Sequence, residues 1–149
     1  MERDLHNINQ LQEECQIKIS NAIKELARLY CCEQYNIQEQ DCNDIKNNEK
    51  WQYKILVKQT IEKQEIQIIV CIPKAFPYDF PKIYLHSSHK DFYEKIPHID
   101  DDLNMCIFDK NEVNPDPIHP FEILDITIKR AFSNIEQGLL KKNFTDFKD

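Results

Sequence analysis

Three prolines at four-residue spacing, Pro73, Pro77 and Pro81, govern how the middle of this chain can fold. Each ring fixes φ near −65° and removes a backbone donor, so no helix runs through this stretch and the chain stays extended or turned. The segments on either side read as strands. In "WQYKILVK" (51–58) the large residues Trp51, Tyr53, Ile55 and Val57 alternate with polar ones, which predicts a half-buried strand carrying all four on one face. "EIQIIVCIP" (65–73) is rich in β-branched residues and predicts a second strand. The polar "QTIEKQ" between them predicts a hairpin. "KIYLHS" (82–87) predicts a third strand, and the polar connection 33–50 holds a short edge strand around Tyr35 to Ile37. An antiparallel meander of three or four strands results.

Helices flank it. Ile8, Leu11, Cys15, Ile19, Ala22, Leu26 and Leu29 recur at three- and four-residue steps, predicting an amphipathic helix with Asp4 or Asn7 as its cap. Late in the chain, Phe121, Leu124, Ile128, Ala131, Phe132 and Ile135 share a second helical face. Pro120 suits its first turn, and Gly138, the single glycine of the chain, suits its end. The order helix, meander, irregular segment, helix defines an α+β class with the helices on one side of the sheet.

At 149 residues the chain makes one domain with a real core, spanning 1–149. Its formal net charge of −7 argues against a nucleic-acid or anionic-membrane partner. No apolar run reaches the roughly 20 residues a membrane span needs, and "MERDLHNINQLQEE" is no secretory signal. Six cysteines without such a signal fit reduced thiols and a cytoplasmic location better than a disulfide framework. Cys31 and Cys32 are adjacent, not spaced as Cys-x-x-Cys, so no metal site is expected.

Residues 87–120 carry no strong periodicity, a long irregular stretch for a compact domain. Phe92, Tyr93, Ile96, Ile99, Met105, Ile107 and Phe108 anchor it, and Pro97, Pro115, Pro117 and Pro120 stiffen it. Such a segment is a platform for holding one side chain in place. Cys106, in "NMCIF", is by local sequence a small buried hydrophobe or a presented nucleophile. "DDD" (100–102) is by default a solvated turn, and a Cys–His hydrolase pair with His98, His119 or His86 is a further reading.

"AFPYDFPKIYL" (75–85) followed by "IPHIDDDLNMC" (96–106) resembles the ubiquitin-conjugating enzyme family. Phe76, Pro77, Tyr78, Pro81, Lys82 and Ile83 match the family's aromatic-Pro segment, with Phe80 in place of the first of its paired prolines. Pro97 falls on the proline of the family's His-Pro-Asn motif, His98 on its asparagine, Asp102 on the turn aspartate and Cys106 on the catalytic cysteine. The start of "WQ" at 51–52 also resembles the family's second strand, so the similarity covers nearly the whole chain. Ile96 stands at the motif histidine and Leu103 at the turn glycine; the usual Trp after the cysteine is missing, and the C-terminal pair of helices has no room. These departures resemble the bacterial branch, associated with ThiF-type activating enzymes and antiphage defence, in which the domain can be fused to its activating enzyme. The tail "GLLKKNFTDFKD" is compatible with the N-terminal domain of such a fusion.

The resemblance implies the UBC-like fold and a transferase that carries the C-terminus of a ubiquitin-like modifier as a thioester on Cys106. It implies no cofactor and no metal. Its partners would be the modifier, a ThiF-type activating enzyme, separate or fused, and a protein substrate. His98 would support the oxyanion from its ring or brace the loop, and Asp100, Asp101, Asp102, Asp109 and Asp116 would orient the incoming amine. RWD domains share the fold and a Tyr-Pro-x-x-x-Pro signature that "FPYDFP" also satisfies, which leaves a non-catalytic interaction module as the alternative; those relatives generally lack a cysteine in this register.

Overall fold

The hairpin between the two long strands is the centre of the computed structural model, which describes residues 2–34, 50–107 and 118–148. Strand β2 (Trp51–Ile61) pairs antiparallel with β3 (Gln64–Pro73) along nearly their full lengths. Ladder pairing runs through most of the polar connector, since Ile61 faces Gln64 and only Glu62 and Lys63 form the turn. Both take positive φ, 51° and 66°, which matches a two-residue loop to the twist of its strands.

Three short strands complete the sheet. β1 (Cys31–Gln34) pairs with β2, β4 (Lys82–Leu85) with β3, and β5 (Asn104–Met105) with β4, giving the order β1-β2-β3-β4-β5, antiparallel throughout. The meander therefore has five strands, not three or four. β5 eluded the sequence reading because two residues carry no periodicity. The edge strand expected around Tyr35 to Ile37 lies outside the described residues, and β1 precedes it. The third strand stops at Leu85, because a 3-10 helix (Ser87–Lys95), kinked at His89, begins two residues on.

Helices α1 (Glu2–Leu29) and α2 (Pro120–Lys148) share one apolar cluster with a single face of the sheet. Ile19, Ala22 and Leu26 of α1 and Leu124, Ile128, Ala131, Phe132 and Ile135 of α2 are buried there with Ile55, Val57, Ile66, Ile68, Val70 and Ile83. Each such aliphatic side chain contributes about 1.5–3 kcal/mol when fully buried. A hydrogen bond ties the two helices at one end: the Tyr30 hydroxyl donates to Asp125 Oδ1 at 2.6 Å, and Lys129 Nζ lies 2.9 Å from Oδ2. Burial raises the Asp125 carboxyl, but the bonds from Tyr30 and Lys129 outweigh it and hold its pKa below the usual value. Burial and the neighbouring Asp125 raise the Tyr30 phenol.

Several expectations are corrected. α1 starts at Glu2, so Asp4 and Asn7 are helical residues and not its caps. Leu11 and Leu29 lie on or near the apolar stripe yet are 64% and 57% exposed, because the buried positions of α1, Ile19, Ala22 and Leu26, lie in its C-terminal half and Leu29 is its last residue. Trp51 does not share a face with Ile55 and Val57. A register shift between Trp51 and Tyr53 reverses the alternation and packs Trp51 with Leu56, Ile69, Cys71 and Tyr84 on the opposite face, while Tyr53 is left partly exposed. Gly138 does not end α2, which runs on to Lys148. Pro120 does open it. No helix among the described residues is long and apolar enough to cross a membrane.

The turn offers a direct test. A non-glycine residue in the left-handed region costs roughly 1–2 kcal/mol, and both Glu62 and Lys63 are exposed with no packing to lose. The double variant Glu62→Asn, Lys63→Gly is expected to stabilise the protein by about 1 kcal/mol or more, read as a higher urea midpoint at unchanged slope.

Candidate functional site

Cys106 is exposed at the end of β5, directly after the buried Met105. A chain of backbone contacts fixes it there. Pairing of Ile83 with Met105 and Tyr84 with Asn104 sets the approach, and the Leu85 amide donates to the Leu103 carbonyl at 2.9 Å. The Cys106 amide donates to the His98 carbonyl at 2.8 Å, and Ile99 bridges to Met105. The two positions singled out eight residues apart are thus joined through their peptide groups. His98 is exposed and takes φ of 58°, a conformation in which Asn, Asp and His are enriched.

The turn between them is built on Asp100. Its Oδ1 accepts from the amides of Asp102 and Asn104, each at 2.9 Å. The backbone closes the same turn: Asp100 N–H donates to the Asn104 carbonyl at 3.1 Å and Leu103 N–H to the Asp100 carbonyl at 3.0 Å. One carboxylate oxygen of Asp100 is therefore occupied in shaping the turn, the common use of Asp in such places. Asp101 and Asp102 are exposed, while Asp109 and Asp116 lie outside the described residues.

Leu103 closes this turn with φ of 67° and is 6% exposed. A leucine in the left-handed region is strained, yet burying its side chain contributes more, about 2–5 kcal/mol by truncation against roughly 1–2 kcal/mol of strain. The residue is a hydrophobic pin that keeps the turn on the core. Ile96 is likewise buried, and Ile99 and Ile107 are half-buried against the same cluster. Phe108 lies outside the described residues.

Upstream, a histidine that sequence reading did not single out anchors the 3-10 helix. His89 is 8% exposed, and its Nε2 accepts the Gln67 amide at 3.0 Å, while the Gln67 carbonyl accepts from the His86 amide at 3.1 Å. Both Gln67 groups point away from β2, just past the last β3–β4 pair, so the histidine turn takes the place of one more rung. His86 Nδ1 accepts from the Ser88 amide at 3.1 Å and lies 2.8 Å from its hydroxyl.

The remaining described cysteines differ in access. Cys71 is buried, Cys15 and Cys32 are half-buried and Cys31 is exposed. Cys32 Sγ faces the Leu26 carbonyl at 3.6 Å, and burial, with the Cys31 thiol beside it, pushes its pKa up to about 11. Such a thiol holds little thiolate at neutral pH and is a poor nucleophile. Among the described residues no cluster of three or more His, Cys, Asp or Glu side chains is arranged to hold a metal ion.

Comparison with family models, with curated proteins and with solved structures gives no match.

Two outcomes follow from this geometry. Asp100→Ala removes the acceptor for two amides and is expected to cost about 1–2 kcal/mol in urea unfolding, with Asp100→Asn recovering most of it and Asp101→Ala within about 0.5 kcal/mol of the parent. His89 gives a pH dependence. Burial, then the neighbouring His86, lowers its pKa in the folded state, against a smaller opposing effect of Glu65. Its contribution is complete above the unfolded value of about 6.5 and is lost as pH falls below that toward the lowered folded value. The urea midpoint should fall between pH 7 and pH 5, and less steeply in His89→Gln, which keeps an acceptor without titrating.

Proposed function

We propose that the protein is a ubiquitin-conjugating-enzyme-like transferase of UBC-like fold that carries the C-terminus of a ubiquitin-like modifier as a thioester on Cys106. The observation that carries this reading is the 2.8 Å bond from the Cys106 amide to the His98 carbonyl, which puts an exposed thiol beside the residue the sequence motif pairs with it. The positive φ of Leu103 adds support, since a glycine in that place of the family's turn adopts it without strain.

The chemistry asks little of the site. The Cys106 thiolate attacks the carbonyl of the modifier's thioester on an activating enzyme of ThiF type, and the donor thiolate leaves. A substrate amine then attacks the new thioester, the C–N bond forms, the C–S bond breaks, and the amine's proton passes to solvent as Cys106 is released. One thioester replaces another, so the first step is nearly isoenergetic, and no cofactor is needed. His98 is the donor to the tetrahedral oxyanion. Asp101 and Asp102, exposed beside the thiol's loop, attract a lysine, whereas Asp100 acts by holding the turn. We place the reaction in the cytoplasm, where thiols stay reduced.

The alternatives are an interaction module of RWD type and a Cys–His hydrolase. Of the histidines the second offers, His86 has its Nδ1 engaged with Ser88, which leaves His98 and His119 as its candidates.

Incubation with the modifier, its activating enzyme and ATP should give a reductant-sensitive adduct that vanishes in Cys106→Ala and survives in Cys15→Ala, Cys31→Ala and Cys71→Ala. An adduct persisting in Cys106→Ala removes the assignment, and no adduct in any variant leaves the interaction module. His98→Ala should load nearly normally and discharge to amine on the order of 10²-fold more slowly. His98→Asn should regain much of the rate, because asparagine supplies an amide donor and tolerates the same backbone.

A further inference from the structure

Gly138 lies in the middle of α2, where glycine is the least suitable residue short of proline and costs about 1 kcal/mol relative to alanine. Neither a turn nor a positive φ accounts for it, because the helix continues for ten residues to Lys148 and the chain has no positive-φ glycine. What accounts for it is the neighbour. A Cβ at this position would stand 2.7 Å from the Lys95 carbonyl oxygen, 2.9 Å from Ile96 Cα and 3.2 Å from the Lys95 carbonyl carbon. All three are main-chain atoms, so no side-chain rotation relieves the overlap.

The two partners have little freedom to part. On the α2 side, Phe132, Ile135 and Leu139 are 4%, 0% and 6% exposed and hold the helix on the core. On the other side, Ile96 is 4% exposed and belongs to the same cluster. From Ile96 the chain passes through Pro97, whose φ is fixed, to His98, whose carbonyl holds the Cys106 amide. A displacement of the main chain at 95–96 therefore arrives two residues later at the group that fixes the thiol.

We propose that Gly138 is a positioning residue: its bare helix surface seats the Lys95–Ile96 main chain, and that seat sets the placement of the His98–Cys106 pair. Where it concerns acyl transfer, this inference rests on the function proposed above. Its central test does not.

Amide hydrogen exchange at Cys106 reads the bond to His98 in the intact protein without any modifier. In Gly138→Ala the Cys106 amide is expected to exchange at least about tenfold faster than in the parent, while core amides of β3 change only with global stability. Ala131→Gly supplies the comparison, since it weakens the same helix from its buried face by a glycine in the helix interior. It should leave Cys106 exchange tracking the β3 core. Equal behaviour of the two variants at Cys106 overturns the proposal. Should Gly138→Ala fail to fold, Ile96→Ala loosens the same seat from the other side without a clash. It must then accelerate Cys106 exchange beyond Ala131→Gly, and the proposal falls if it does not. Accelerated exchange in a protein that never forms the Cys106 adduct would keep the seat and remove only the transferase reading.

Discussion

Everything in this fold is arranged around the β2–β3 ladder, the one pair of elements long enough to be two-sided. Its alternating side chains make two different surfaces. Ile55, Val57, Ile66, Ile68, Val70 and Ile72 face the helices and build the main core, while Trp51, Leu56, Ile69, Cys71 and Tyr84 form a smaller cluster on the other face. The side-chain period of two leaves no intermediate choice, since a slip of one residue would exchange the two sets. The register shift beside Trp51 uses this property locally, sending one large ring to the smaller cluster without disturbing the rest. Once the ladder is fixed, α1 and α2 have one apolar surface to cover, and β4 has one edge to join.

The parts of this arrangement that were legible in the sequence are those with a period. The two long strands, the hairpin, the C-terminal half of α1 and the buried face of α2 all announce themselves as runs of alternating or helically spaced apolar residues. What was illegible lacked a repeat. β5 is two residues long, the bulge beside Trp51 breaks its own pattern, and Leu11 is exposed because the core takes in only the later turns of α1. Gly138 misled for a different reason. A lone glycine after a helical pattern has two physical uses, a left-handed C-cap or a close approach, and the sequence distinguishes them only if the apolar spacing is followed past it to Leu139.

The candidate site was legible to a similar degree. The spacing of His98 and Cys106 located the pair, and the structure joins them through a peptide hydrogen bond. The acidic run carried less information than its charge suggested. Three consecutive aspartates look interchangeable, yet only Asp100 is known to turn an oxygen back onto the amides of Asp102 and Asn104. Composition records charge, whereas the difference among these residues lies in where the backbone places each one. His89 gave no signal at all, because a buried histidine that accepts one amide has no pattern to announce it.

An exposed nucleophile on an irregular segment needs its backbone held by something other than secondary structure. Here the segment from β4 to Cys106 is fastened at three separated points by three kinds of force. His86 and His89 bond both main-chain groups of Gln67; Ile96 is packed into the core against the flat surface at Gly138; Leu103 and Met105 are buried while pairing with β4. Two of the three fastenings use a residue that local rules disfavour, a glycine inside a helix and a leucine at positive φ. Each local penalty is of the order of 1–2 kcal/mol and is offset by burial it makes possible nearby. Local choices that contradict propensity are expected where a chain must hold one group in place. Leu103 lies on the short path that ends at Cys106, and Gly138 packs against the main chain at Lys95–Ile96 near its start, so both bear on where the exposed thiol is held.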